Sequence, residues 1–149
     1  MITLTIFTTD IIKFFQAFVR QMVKIGGKNL PKTISSSLGS ELGKSYLKKN
    51  VLDWKKALTG MITAMGGKLE IVEKEGSWLL ISHYPTEFCP IGGKPDSVRF
   101  ADTTDSICIP YLTGYLQGLR QKLTQNPLLT KCIVRDGGKT CEFQIELAK

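Results

Sequence analysis

The chain has 149 residues, enough for one domain with a good core, and its 42% hydrophobic and 22% charged residues are those of a globular protein, not a disordered one. No apolar run approaches the roughly 18 residues of a membrane span. The net charge of +7 would permit an anionic partner, but the lysines lie in scattered pairs (Lys48 and Lys49, Lys55 and Lys56) without a basic block or interleaved aromatics, which argues against a nucleic-acid footprint.

Met1 to Phe7 is apolar but lacks a basic start and a small-residue cleavage site, so the reading is of a cytoplasmic protein whose thiols stay reduced. Thr8-Thr9-Asp10 reads as a cap before a helix carrying Ile11, Phe14, Phe15, Phe18, Val19 and Met22, ended by Gly26-Gly27. Pro31 suits the first turn of a second helix, whose apolar positions Ile34, Leu38, Leu42 and Tyr46 advance by four. Gly39 and Gly43 lie on a neighbouring face that would admit another helix closely. Asp53 is placed to cap a third helix with Trp54, Leu58, Met61, Ile62 and Met65, stopped by Gly66-Gly67.

The periodicity then changes from helical to alternating. Lys68 to Val72 and Ser77 to Tyr84 read as a hairpin around Glu75-Gly76, and Pro85 to Pro95 as irregular chain. A fourth helix is expected from Thr104 to Pro110 onward to about Leu123, with Pro110 in its first turn and Gly114 and Gly118 permitting tight packing. Leu128 to Leu147 reads as a second hairpin around Asp136-Gly137-Gly138. The order of three helices, hairpin, helix, hairpin predicts a single α+β domain over residues 1–149, with helices covering one antiparallel sheet.

The four cysteines all fall in the C-terminal half. Centring the second hairpin on Arg135 to Gly138 sets Cys132 opposite Cys141, with Cβ atoms about 5 Å apart. Joined by Cys89 and Cys108, they would make a structural zinc site, although no CxxC knuckle is present. Buried free thiols are the plainer alternative, and a Cys132–Cys141 disulfide a third. The single histidine, His83, falls in a strand with no Asp or Asn partner in view, and no carboxylate pair sits in an apolar setting. Both facts argue against an enzyme. Gly92-Gly93-Lys94 is too short for a P-loop and lacks its Ser or Thr.

Ile107-Cys108, Gly114-Tyr115-Leu116-Gln117-Gly118-Leu119, Lys131-Cys132, Gly138 and Cys141-Glu142-Phe143-Gln144-Ile145, with Cys89-Pro90 upstream, form one pattern. It resembles the C-terminal half of the 4-vinyl-reductase domain family, predicted hydrocarbon-binding proteins. The residues before Ser82 match only in the order of their elements. The resemblance implies a fold shared with TRAPP core subunits and with haem nitric-oxide sensor domains, an apolar ligand held between helices and sheet, and dimerisation through the N-terminal helices. The haem branch needs a histidine on a helix, which this chain lacks.

The expectation is therefore a sensor domain binding a small apolar molecule of unknown identity, with zinc on Cys89, Cys108, Cys132 and Cys141. Trp54, Met61, Met65, Tyr111 and Tyr115 would line a cavity exceeding about 300 Å³. A homodimer would form through the first two helices, using Phe14, Phe15, Phe18 and the Gly39/Gly43 face, with about 1,200 Å² or more buried. The alternatives are a TRAPP-like scaffold acting through its surface, or an accessory to tetrapyrrole vinyl reduction; the latter would need a partner for electrons, since no GxGxxG is present.

Overall fold

A 25-residue amphipathic helix, α1 (Ile2–Gly26), opens the computed structural model, which describes residues 2–149. The side chains of residues 1–9, 11 and 12 lie outside the description, the apolar position Ile11 among them. Helical backbone already runs through Thr8-Thr9-Asp10, so these residues are interior to α1 and do not cap it. Gly27, at φ 72°, ends the helix by the left-handed stop that glycine adopts without steric cost.

Helix α2 (Asn29–Lys48) follows with Pro31 in its first turn, and α3 (Trp54–Ala64) starts where Asp53 accepts the Lys55 N–H at 3.0 Å. Strands β1 (Lys68–Lys74) and β2 (Ser77–His83) form the first hairpin, turned at Gly76 with φ 73°.

The fourth helical region differs from its sequence reading at both ends. It begins at Ser97, where Asp96 caps the N–H groups of Val98 and Arg99. It runs through α4 (Ser97–Thr103), a π turn (Thr104–Cys108) and α5 (Ile109–Gly118), and stops at Arg120, whose φ is 62°. Pro110 is thus in mid-run. Because proline has no N–H and its ring crowds the preceding turn, the backbone takes in an extra residue just before it, and Ile109 N–H reaches back to the Thr104 carbonyl.

The second hairpin is also modified. Strands β3 (Leu128–Lys131) and β4 (Thr140–Ile145) are joined by a one-turn helix, α6 (Ile133–Asp136), and by Gly137 and Gly138, both at positive φ. The sheet order is β1-β2-β4-β3, antiparallel throughout, so the two hairpins meet along β2 and β4. The architecture is the expected α+β one, three helices and a helical run on a four-stranded sheet.

Two packings on α5 organise the core. On one side α2 crosses it at backbone contact: a Cβ at Gly39 or Gly43 would strike the carbonyls of Tyr111 or Tyr115, and one at Gly114 or Gly118 those of Ser36 or Ser40. The Gly39/Gly43 face expected at a dimer interface is therefore consumed within the chain. On the other side Tyr115, Leu116, Leu58, Leu80 and Ile145 form the apolar core, and the buried Tyr115 hydroxyl donates to the Ala57 carbonyl at 2.6 Å. Among the described residues no helix is long and apolar enough to cross a membrane.

Candidate functional site

Beside this core, α3, the π turn and the sheet leave an apolar cavity of about 80 Å³. Met61, Met65 and Tyr111 line it as the sequence suggests, with Leu80, Ile91 and Phe143 completing the apolar wall. Trp54 and Tyr115 do not. Trp54 is engaged edge-on with Trp78, ring centroids 5.5 Å apart, and Tyr115 is fully enclosed in the core. The volume falls well short of the expected size, because β2 and β4 bring Leu80 and Phe143 onto the same space.

All four cysteines line this one cavity. The metal reading and the ligand reading of the sequence therefore fall on a single place. Cys89 sits in a tight loop closed by paired backbone bonds between Cys89 and Gly93, and its sulfur accepts the Gly92 N–H at 3.2 Å. Cys108 ends the π turn. Lys131 pairs with Glu142, and the next step of that register sets Cys132 opposite Cys141. The residues between close as a helical turn plus two glycines instead of a plain hairpin turn, yet span the same gap.

Local bonds hold the Cys132 corner. The Asp136 carboxylate accepts the Cys132 N–H at 2.9 Å and is gripped by both edges of the Arg135 guanidinium at 2.8 Å. Arg135 reaches the Thr130 carbonyl at 3.0 Å and lies over the Phe100 ring. This grip, with the Cys132 N–H, lowers the Asp136 pKa.

The four thiols have different chemistry. The neighbouring Cys141 side chain, with the backbone N–H groups of Arg135 and Val134 close by, lowers the Cys132 pKa. The neighbouring Cys132 side chain raises that of Cys141, with burial adding to it. Burial pushes Cys89 up, partly offset by the Gly92 N–H, and pushes Cys108 up further. Burial likewise raises the Tyr84 phenol on the cavity rim. The cavity thus holds one thiol disposed to ionise among three that resist it.

Among the described residues no group of three or more His, Cys, Asp or Glu stands close enough to hold a metal ion, so only the Cys132–Cys141 contact is assembled. His83 is exposed on β2 and pairs with Glu70 at 3.1 Å, away from the cavity lining.

The fold is of the TRAPP-subunit kind. A crystal structure of trafficking protein particle complex subunit 3 from Naegleria fowleri, covalently bound to palmitic acid, superposes with a TM-score of 0.58 over 97% of each chain at 12% identity. At that identity the likeness shows the fold. No protein-family model and no curated protein matches the sequence, so the 4-vinyl-reductase resemblance rests on its residues alone.

Proposed function

We propose that this chain is an assembly module of the TRAPP-subunit type that joins a second copy of itself through the outward faces of α1 and α2. One observation carries this reading. Phe14, Phe18 and Ile25 recur at intervals of four and seven along α1 and remain 71%, 53% and 82% exposed. The opposite face of the helix is already docked: Val19 is buried, and Gln16 bonds the Gly92 carbonyl and Arg99. Leu38 on α2 adds further exposed apolar surface. An apolar stripe of this size on a helix anchored from behind suits a partner. The similar fold of a protein described as a subunit of a particle complex supports it. Light scattering should give a dimer, and Phe14→Asp with Phe18→Asp a monomer of unchanged melting temperature. A wild-type monomer at high micromolar concentration would end the reading.

A second reading is favoured by the cavity: binding of a small apolar molecule against the cysteines. The palmitic acid held covalently by the similar structure supports it, although about 80 Å³ suits a short alkyl group better than a long chain. A thermal-shift panel of short and long fatty acids and tetrapyrroles tests it; the short ones should raise the melting temperature.

Zinc is a proposal on the same thiols. Backbone N–H bonds to Cys89 and Cys141 suit thiolate ligands, and Cys89 and Cys108 would have to close onto the Cys132–Cys141 pair. Metal analysis of freshly purified protein should return about one zinc per chain, and none from Cys132→Ser.

A further inference from the structure

We propose that the groove between α1 and α4 binds a free α-amino acid with a small branched apolar side chain. The inference rests on neither the dimer nor the cysteines. A second cavity, of about 120 Å³, opens here on the side of α1 that carries the buried Val19. Val19, Ile91 and Ile107 give it an apolar floor, and Gln16 and Arg20 from α1 and Arg99 and Asp102 from α4 also line it. An apolar surface with a few placed polar groups is the usual make-up of a small-molecule site.

Two of the polar groups are used by the fold. Gln16 donates to the Gly92 carbonyl at 2.9 Å and accepts from Arg99 at 3.1 Å, and Arg99 also donates to the Lys94 carbonyl at 2.9 Å. These bonds tie α1 to the loop and to α4 and so hold the groove open at a set width. Arg20 and Asp102 are different. They face one space with opposite charges, yet among the described residues neither forms an ion pair, so they do not reach each other. Arg99 leaves a further donor unused. Its Nε is closed off from solvent and has no hydrogen-bond acceptor among the described residues; Asp96 Oδ2 stands 3.1 Å away but off the line of the N–H. A buried donor without a partner is costly, and a carboxylate beside the Arg99 guanidinium would offset that cost.

An apolar α-amino acid matches this lining group by group. Its carboxylate meets Arg20 and Arg99, its ammonium meets Asp102, and its side chain lies on Val19, Ile91 and Ile107. A zwitterion bridges two opposite charges that do not touch, which a carboxylic acid or an amine alone does not. An engineered cavity of about 150 Å³ admits benzene, so one of about 120 Å³ suits the side chain of valine or leucine better than a benzyl group.

The test is an NMR titration of the full-length chain with three compounds: L-valine, isovalerate, which lacks the ammonium, and isobutylamine, which lacks the carboxylate. L-valine should bind best, and each analogue about fivefold more weakly, the loss of one exposed ion pair. Arg20→Gln should weaken L-valine and isovalerate but not isobutylamine. Asp102→Asn should weaken L-valine and isobutylamine but not isovalerate. A variant that merely disturbed the groove would weaken all three, so the crossed pattern reports direct contact, and the wild-type series needs no variant to fold. No saturable binding of L-valine, equal affinities for the three compounds, or variants that weaken all three alike would each overturn the proposal. So would L-valine binding that neither variant changes, which would put the ligand in the cysteine cavity.

Discussion

The two sides of α5 are packed by opposite rules. Toward α2, four glycines bring the helices together until backbone meets backbone. Toward α3 and the sheet, large side chains meet across a space they do not fill. On the first side shape is fixed by what is missing, and the contact tolerates no added atom. On the second, side chains can change without moving a helix. Architecture is therefore concentrated on the α2 side, and room for chemistry on the other.

Gly114→Val should break this contrast most severely. Its Cβ would strike the Ser36 carbonyl, and backbone cannot rotate away as a side chain can, so α2 must lift off α5. A loss above the usual overpacking cost of about 1–3 kcal/mol is expected in denaturant melts. Met61→Ala comes next. Met61 already borders the cavity and has contacts on only part of its surface, so its truncation should fall at the lower end of the range, about 2 kcal/mol. Equal losses for the two variants would show that the cavity side is as rigid as the seam.

The smallest effect sharpens the comparison within the cavity. Followed by thiolate absorbance, Cys132 should ionise below the ordinary thiol value of 9.0, and Cys89, Cys108 and Cys141 above it. The sign follows from the pairing: beside the Cys141 side chain the Cys132 thiolate is favoured, and the proton that remains is held at Cys141. Cys141→Ala should then move the first ionisation to higher pH, by loss of that neighbour.

Much of this was legible in the sequence where a local signal and the global fold agree. Asp53 caps α3, Gly76 turns the first hairpin, and the Gly39/Gly43 and Gly114/Gly118 spacings mark helices that approach closely. Counting outward from the glycine turn sets Cys132 against Cys141, because α6 closes the same number of residues as a plain turn. Other features were hidden by competing signals. Pro95 and the glycines before it masked Asp96 as a cap, and Pro110 read as a helix start where it marks a π turn. That the glycines serve a contact within the chain depends on tertiary pairing, which helical spacing does not encode. Nor does helical spacing place Cys89 and Cys108, from a loop and a helix far apart in sequence, on the same cavity as the other two.

The π turn at Thr104–Cys108 also bears on how this molecule could change over time. An α-helix advances about 100° per residue, so an inserted residue turns everything before it by that angle relative to everything after. The run from Ser97 to Gly118 therefore behaves as two keys on one shaft, cut separately. The later key engages α2 through its glycines and cannot be recut. The earlier one, carrying Thr103 and Thr104 on the cavity wall, can be set by whether that residue is kept. Deleting Ser106 would swing the earlier half through about 100°, presenting different side chains to the cavity while the seam with α2 stays in register.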